Sequence, residues 1–342
     1  MQSRPLIAIT MGDPAGVGPE IVAKAVANPA LYEQARLLVI GSRSVLEKAI
    51  GLVGVGLSAQ LIEQPCEGRY TAGTIDLIEP ITLDLDPIQP GIPQGEAGQA
   101  AFQYVNKAIG LALNGEVDAI ATAPINKEAL RAGGVPYVDH TEMLSKLTNS
   151  PDPLTMFVLD KLRIFFLTRH LPLIDACRLV TSDRVLNYLQ RVHSELHRFG
   201  MDRPRIAVAG LNPHAGEGGL FGTEEALQVA PAVEKARSLG IDAYGPIAAD
   251  SVFFLCRTGR YDAVLSLYHD QGHIAAKTVD FERTISVTLG IPFLRTSVDH
   301  GTAFDIAWKG VASSVSMEEA IKVAAAFADL RRNSISARPN GS

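Results

Sequence analysis

The sequence predicts an α/β fold with a largely parallel sheet, and two observations favour this fold class. Short apolar runs with β-branched residues, such as 6–10 and 263–267, alternate with stretches of helical apolar spacing along most of the chain. The 342 residues, 47% hydrophobic and 20% charged, suffice for two domains or one large α/β unit. Because no clean linker interrupts the alternation, we expect two domains that are interleaved rather than consecutive.

Composition and charge argue against several classes of protein. The formal net charge of −6 disfavours a nucleic-acid-binding surface, although a local basic cluster still allows an anionic small substrate. No apolar run reaches the roughly 20 residues that span a bilayer, and the first apolar segment is too short for a signal peptide. The three cysteines are far apart and form no CxxC motif. We therefore expect a cytoplasmic protein without a membrane or nucleic-acid partner.

The first half of the chain starts with a strand at 6–10 and a glycine-rich turn at 11–18. Pro19 and Glu20 then open a helix, since both residue types suit a first helical turn. Strand, glycine loop and helix make a ready anion site, and a tight turn that simply needs glycine is the alternative. We next expect a strand at 36–41, weak signal at 42–95, a helix at 95–115, a strand at 117–122, a short helix ending at 133 and another following 138–142.

The second half alternates in the same way. We expect paired strands at 154–159 and 162–167, helices at 182–199 and 223–240, strands at 205–209, 263–267 and 285–289, and a last helix from 317. Polar, titratable residues at 268–273 follow the run 263–267, and there we expect a loop. Ligands of open α/β sheets bind outside the carboxyl ends of strands, so this segment and Lys277 are candidates for chemistry.

Three histidines, His170, His214 and His269, each follow an apolar strand-like run by one to four residues. Three neutral imidazoles suit a divalent first-row metal and leave coordination positions open for a substrate. Asp270 and Glu217 are placed to orient imidazole N–H groups. The alternative is that each is an ordinary loop residue. Two further histidines, His193 and His197, lie four residues apart, and we interpret them as residues of a surface or packing helix rather than as metal ligands.

Other polar residues near predicted element ends suit an anionic ligand. His140, Thr141, Lys277 and Arg295 offer an imidazole, a hydroxyl and two cations that match a phosphate or carboxylate. For any one of these the alternative is a solvated surface group. The segment 297–307 combines small residues, which allow close backbone approach, with histidine and aspartate for hydrogen bonds to a ribose or base.

The motifs resemble those of a known family. The cofactor loop of the isocitrate and isopropylmalate dehydrogenases resembles the segment HGTAFDIA together with residues 309–312 of this chain. Their glycine turn resembles the segment MGDPAGVGPEI. From end to end the chain resembles the 4-hydroxythreonine-4-phosphate dehydrogenase family of pyridoxal phosphate (pyridoxine) biosynthesis, through GDPAGVGPE, ATAPINKEAL, DHTE, TRHLPL, LNPHAGEGG, YHDQG and RTSVDHGTA. The resemblance implies an isocitrate/isopropylmalate dehydrogenase-like fold: two interleaved α/β/α domains with a cleft between them.

The resemblance also implies roles for individual residues. It implies a homodimer with the active site at the subunit interface, NAD or NADP as cofactor, and one divalent metal (zinc, magnesium, manganese or cobalt). The implied sets are His170, His214 and His269 for the metal; His140, Thr141, Lys277, Ser286 and Arg295 for the phosphorylated substrate; and Gly12, Asp13, His300, Gly301, Thr302 and Asp305 for the cofactor. As our own hypothesis, we add Asp270, Asp250 and Lys277 as catalytic residues.

The implied reaction is oxidation of 4-phosphooxy-L-threonine to 2-amino-3-oxo-4-phosphooxybutanoate, which can lose carbon dioxide to give 3-amino-2-oxopropyl phosphate. The metal would make the substrate hydroxyl more acidic, and Asp270 or a water ordered by Asp250 would take the proton. One residue departs from the family pattern, because Ser286 stands where the family has asparagine. The variants HDQGHI and HGTAFDIAW also resemble a subgroup that acts on 4-phospho-D-threonate or 4-phospho-D-erythronate, and a branch that acts on cyclic cis-dihydrodiol carboxylates also carries serine at this position, so these are the alternative substrates.

Two other classes of protein remain open at this stage. One is a sugar-phosphate sensor that has lost catalysis, which the presence of all three histidines disfavours. The other is a metal-dependent hydrolase, which leaves the segment HGTAFDIA unexplained.

Overall fold

The computed structural model describes residues 4–336, which form an α/β protein with two compact units. Unit 1 takes the chain up to Pro153 together with Ile285–Asp329, and unit 2 takes Leu154–Thr284 together with the chain from Leu330. The chain thus starts in unit 1, builds unit 2 and returns. The α/β class agrees with the sequence prediction.

The described residues form twelve strands, numbered along the chain. They are β1 Leu6–Thr10, β2 Arg36–Ile40, β3 Ser58–Leu61, β4 Thr74–Ile78, β5 Ala119–Thr122, β6 Leu154–Leu159, β7 Leu162–Phe166, β8 Ile206–Ala209, β9 Ala243–Ile247, β10 Ala263–Ser266, β11 Ile285–Leu289 and β12 Leu294–Val298. In unit 1 the order is β3-β4-β2-β1-β5-β12-β11, and in unit 2 it is β6-β7-β10-β8-β9. Strand β11 pairs with β12, and β6 with β7, in antiparallel orientation. Parallel pairing joins β1 to β2 and β5, β4 to β2 and β3, β12 to β5, β10 to β7 and β8, and β8 to β9.

Helices connect these strands. They are α1 Gly18–Val26, α2 Pro29–Gln34, α3 Arg43–Val53, α4 Gly95–Leu113, α5 Lys127–Ala132, α6 His140–Leu147, α7 Leu173–Arg178, α8 Ser182–Arg198, α9 Ala230–Ser238, α10 Ala249–Arg257, α11 His269–Val279 and α12 Val315–Ser336. Short 3₁₀ segments lie at Pro65–Glu67 and Pro213–Gly219, and a π-helical turn, Glu225–Val229, leads into α9. In the part of the chain that the structure describes, no helix has the length and apolarity needed to cross a membrane.

Strands β1, β5, β8 and β10 are buried along their whole length, as their continuous apolar sequences predict. In unit 2 the core joins β6, β7, β8 and β10 to α10 and α11 through Phe157, Ile164, Phe166, Val252 and Ala276. This packing fixes the carboxyl ends of the strands of unit 2, which is where the candidate histidines follow.

The structure corrects three sequence predictions. The polar segment 268–273 is not a loop, because α11 begins at His269 directly after β10. Gly272 lies inside this helix and packs against the core. A Cβ at this position would be 2.6 Å from the Phe166 ring, so the glycine serves close packing rather than a turn. The weak region 42–95 contains α3, and the helix expected from 223 to 240 starts as a π-helical turn.

Candidate functional site

The three candidate metal ligands follow three neighbouring strands. Strand β10 lies between β7 and β8 and runs parallel to both, with Val264 opposite Ile164 and Leu265 opposite Val208. Because the carboxyl ends of parallel strands meet at one edge of a sheet, the segments that carry His170, His269 and His214 leave the sheet side by side.

Hydrogen bonds tie these segments together. Leu167 N and Thr168 Oγ1 donate to the carbonyls of Ser266 and Leu267, each at 2.8 Å. The Gln271 side chain accepts from Leu267 N at 2.8 Å and donates from Nε2 to the carbonyl of Gly210 at 2.7 Å. Gln271 therefore joins the segment of His269 to the segment that leads to His214. The sequence analysis did not predict this positioning role of Gln271. The only indication in the sequence was its place in the motif YHDQG, directly after β10.

The segment around His214 has an unusual backbone. His214, Ala215 and Glu217 have positive φ angles of 52°, 54° and 43°, which residues with side chains adopt only where the surroundings hold them. The buried Glu225 carboxylate supplies part of that support, because its Oε1 accepts from Leu211 N at 2.7 Å and from Asn212 N at 2.6 Å. Glu225 is a second positioning residue that the sequence analysis missed.

Two of the three imidazoles have a carboxylate nearby, which is within hydrogen-bond distance at His269 and farther away at His214. The rings of His170 and His269 lie 5.6 Å apart between centroids. Nδ1 of His269 is 2.6 Å from Asp270 Oδ1, and Nδ1 of His214 is 3.9 Å from Glu217 Oε2. A carboxylate at Nδ1 directs Nε2 toward an ion, so the chemistry of this donor set fits a divalent first-row metal. As the side chains stand, the described residues contain no group of three His, Cys, Asp or Glu gathered around one point.

A cavity of about 410 Å³ lies beside His170 and His269. Its wall contains both apolar and polar side chains, and burial raises the pKa of Tyr268 in that wall, which keeps the phenol protonated at neutral pH. Such a mixture suits a small polar ligand. The lining residues are Arg169, His170, Leu171, Pro172, Leu173, Ala176, Tyr268, His269 and Asp270.

A larger cavity, about 810 Å³, occurs in unit 1. Glu63, Glu67 and Glu79 line it with a single cation, Lys107, and none of the predicted site residues reaches it. Its carboxylates disfavour an anionic substrate, so we place the candidate site elsewhere.

In unit 1, Arg295 is a buried cation held by neutral groups. Its guanidinium donates to Thr122 Oγ1 at 2.6 and 3.0 Å and to Thr288 Oγ1 at 3.3 Å, and the residue is only 5% exposed. Burial lowers the pKa of Arg295 to about 10, opposed by the charges of Asp139 and Asp299. The side chain remains charged at neutral pH, and a buried charge of this kind is stabilised by an anionic ligand.

His140 lies near this cation at the start of α6. Burial first, and then the charge of Arg295, lower the pKa of His140 well below its ordinary value, so the ring is neutral at pH 7. Its Nε2 is buried with no hydrogen-bond partner among the described residues. Asp139 caps the helix by accepting from Glu142 N at 3.0 Å, which leaves His140 and Thr141 in the first turn, where the helix dipole favours an anion.

The sheet register places Ser286 on the same face as this cation. Ser286 pairs with Ser297 and Thr288 pairs with Arg295 across the antiparallel β11–β12 ladder. Residues two apart on a strand point to one face, so Ser286 shares its face with Thr288 and Arg295. The position that departs from the family pattern is therefore a neighbour of the candidate anion site.

Comparison with known proteins identifies the family. The sequence profile described as "Pyridoxal phosphate biosynthetic protein PdxA" matches residues 33–324. The chain belongs to the PdxA family. A relative from Symbiobacterium thermophilum, named "Putative D-threonate 4-phosphate dehydrogenase", is 56% identical over 96% of this chain and 98% of its own.

Solved structures of the PdxA family agree with this assignment. A 4-hydroxythreonine-4-phosphate dehydrogenase from Burkholderia phymatum is 46% identical, with a TM-score of 0.86 over 95% of this chain and 99% of its own. The enzyme of the same name from Klebsiella pneumoniae is 43% identical, with a TM-score of 0.88 over 95% of this chain and 98% of its own. The family resemblance drawn from the motifs is confirmed, and these relatives are dehydrogenases.

In this PdxA family member the two predicted cofactor segments contact each other. Val17 N donates to the Thr302 carbonyl at 3.0 Å, and Trp308 Nε1 donates to the Pro14 carbonyl at 2.9 Å. A Cβ on Gly16 would lie 2.9 Å from Thr302, so this glycine is needed for packing between the segments.

The predicted cofactor residues divide into a buried and an accessible set. Gly12, Asp13 and Thr302 are buried, and burial raises the pKa of Asp13 to about 6. His300 is half-buried, whereas Gly301 and Asp305 are exposed. The accessible set is the part of the group that could contact a bound dinucleotide.

The remaining candidates lie on helices of unit 2. Asp250 is exposed in the first turn of α10. Lys277 is in the last turn of α11, with its Nζ 4.9 Å from the centre of the Phe281 ring. Asp270 is exposed and its Oδ1 is engaged by His269.

Proposed function

We propose that this chain is an NAD(P)-dependent and divalent-metal-dependent dehydrogenase that oxidises the secondary alcohol of a four-carbon acid carrying a terminal phosphate. The names of its relatives support this class of substrate. The observation on which the proposal mainly depends is the anion site of unit 1, where the buried Arg295 is satisfied by threonine hydroxyls and His140 presents a buried, unpartnered Nε2.

The phosphate would bind to this anion site. Arg295 would supply charge-assisted hydrogen bonds, and Thr141 would donate from the first turn of α6. Neutral His140 would add one donor from Nε2 without a further charge. Ser286 would contact the substrate from the same strand face as Arg295, and we assign Lys277 as a further contact to the acid.

His170, His214 and His269 would hold the metal. When bound there, a divalent ion supplies a Lewis acid that makes a coordinated substrate hydroxyl easier to deprotonate at neutral pH. Asp270 orients His269 through its Nδ1. Asp270, or a water ordered by the accessible Asp250, would then accept the hydroxyl proton.

The cofactor would be NAD or NADP, held with contacts from His300, Gly301 and Asp305. Bound there, the nicotinamide would supply the acceptor for the hydride of the alcohol carbon, while the hydroxyl proton would pass to the protein or water acceptor named above. The product is a 3-oxo acid, which can lose carbon dioxide because the new carbonyl is β to the carboxylate.

We also propose a cytoplasmic homodimer with the active site at the subunit interface. Three free cysteines support a reducing compartment. Large exposed apolar side chains on the segments that carry the three histidines support an interface at that place. These are Leu171, Leu173, Ile174, Leu220, Phe221 and Ile274.

Two substrates fit the proposal, and the comparisons favour one of them. 4-Phosphooxy-L-threonine is the substrate suggested by the names of the solved structures. D-threonate 4-phosphate is suggested by relatives at 54–56% identity, which exceeds the 43–46% of those structures. The shorter Ser286 is compatible with a change at carbon 2, so we expect D-threonate 4-phosphate to be the better substrate.

A rate comparison tests this proposal. Purified protein with NAD or NADP is given D-threonate 4-phosphate, D-erythronate 4-phosphate, 4-phosphooxy-L-threonine, unphosphorylated D-threonate and a cyclic cis-dihydrodiol carboxylate, and reduced nicotinamide is followed by absorbance. We expect phosphorylated acids to be oxidised and D-threonate to be a poor substrate. Ser286→Asn should shift preference toward the amino acid. Oxidation of the cyclic diol alone, or equal rates with and without phosphate, would contradict the proposal.

A further inference from the structure

His273 occupies a position that the proposed reaction does not use, although it lies one helical turn after a candidate metal ligand. Its ring stacks on the ring of His269 with centroids 3.6 Å apart and planes 13° from parallel. The two imidazoles are therefore stacked nearly face to face. The neighbouring ring of His170 is farther from His269, at 5.6 Å.

The orientation of the His273 ring is fixed by three contacts. Nδ1 lies 2.8 Å from the main-chain carbonyl of His269, and because a carbonyl only accepts, Nδ1 must carry the proton. The rings of Phe157 and Phe166 pack against it with centroids at 4.3 and 4.5 Å. Both phenylalanines are buried in the core of unit 2, so His273 connects that core to His269.

His269 is thereby constrained in two directions. Asp270 holds the edge of the ring through Nδ1 at 2.6 Å, and that carboxylate is largely exposed. His273 covers one face.

We propose that His273 is a positioning residue for the metal site: its flat face fixes the plane of the His269 ring and so aims Nε2 at the ion. This inference rests on the proposed metal-binding function. Orienting contacts behind metal ligands typically change metal affinity by about 10- to 100-fold.

The test compares planar and non-planar side chains at position 273. His273→Phe keeps a flat ring between Phe157 and Phe166, whereas His273→Leu and His273→Met fill the space without one. His197→Leu is the matched control, since His197 is an exposed histidine on α8. Each protein is stripped of metal, its thermal unfolding is checked, and Co²⁺ is titrated while the visible ligand-field bands are recorded.

We expect wild type, the His197→Leu control and His273→Phe to bind Co²⁺ with similar affinity and spectra. His273→Leu and His273→Met should bind at least about 10-fold more weakly, with altered bands that report a changed coordination geometry. A folded Leu or Met variant with the wild-type affinity and spectrum would overturn the inference, as would a folded Phe variant no better than Leu. If the wild type itself binds no Co²⁺, the metal proposal fails and the inference fails with it.

Discussion

At the scale of single residues, the candidate anion site pairs a side chain that is charged at pH 7 with an imidazole that is neutral at pH 7. Arg295 retains its charge in a buried position, and that charge is one reason why the pKa of His140 is low. The two side chains therefore complement each other toward a phosphate, since one supplies charge and the other a hydrogen bond without added repulsion.

Because the pKa of His140 is low in the folded protein, we predict that the free energy of unfolding depends on pH. The unfolded chain binds a proton at His140 below about pH 6.5, whereas the folded protein does so only at a lower pH. The folded state therefore loses stability as the pH falls below about 6.5, by at most about 1.4 kcal/mol per pH unit. Urea unfolding of wild type and His140→Gln between pH 7 and pH 5 measures this, and we expect the smaller loss in the variant.

Other groups that titrate in this range contribute equally to both proteins, so the difference between the two curves isolates His140. Parallel curves for wild type and His140→Gln would show that the ring is freely protonated in the folded state. The neutral donor proposed for the phosphate would then be wrong.

At the scale of elements, glycine brings α4 directly against α5. A Cβ on Gly98 would lie 2.0 Å from the Ala129 carbonyl oxygen, which no side-chain adjustment relieves because the obstacle is backbone. Helix α5 carries Lys127, whose Nζ is 3.7 Å from Asp139, the cap of α6. The α4–α5 contact therefore helps to position the helix start that presents His140 and Thr141.

Two alanine substitutions on α4 test this packing. Gly98→Ala must separate the helices, and we expect it to lower the free energy of unfolding by roughly 1–3 kcal/mol. A Cβ on Gly110, in the same helix, meets nothing within 4 Å. Gly110→Ala should therefore raise the free energy of unfolding by up to about 1 kcal/mol. Chemical denaturation measures both, and equal effects of the two substitutions would contradict the packing account.

Helix α11 shows where sequence patterns predicted element positions poorly. A polar run with a central glycine is typical of a loop, yet here it forms the first turns of a helix. Gln271 satisfies the backbone at the end of β10, and Gly272 packs on the core. Both roles depend on neighbours distant in sequence, so local composition could not reveal them. The paired strands β6 and β7, by contrast, were predicted closely because their signal is local.

At the scale of the whole chain, periodicity and motifs were sufficient for the α/β class and the family. They also singled out His170, His214 and His269, which follow three adjacent strands. Strand adjacency itself follows from long-range pairing that the sequence does not display. The same limit explains why Gln271, Glu225 and His273 were missed as supporting residues. Their importance depends on contacts with groups outside their own helical segments: Glu225 with Asn212 N, Gln271 with the Gly210 carbonyl, and His273 with the rings of Phe157 and Phe166.

Long-range packing also explains why the predicted cofactor residues divide into a buried set and an accessible set. The motifs placed Gly12, Asp13 and Thr302 together with His300, Gly301 and Asp305. The structure uses the first three inside unit 1, where glycine loop and cofactor segment pack on each other. A motif marks both the residues that contact a ligand and those that shape the backbone around it, and only burial separates the two.

The central claim is that three imidazoles hold one divalent ion without which the alcohol is not oxidised. Its most direct measurement is reduced-nicotinamide formation from D-threonate 4-phosphate by metal-stripped protein, as Mn²⁺ or Co²⁺ is added back. We predict no turnover without metal, recovery in wild type at one equivalent per chain, and no recovery in a folded His214→Ala variant. Full turnover in the presence of chelator, or in His214→Ala, would contradict the claim.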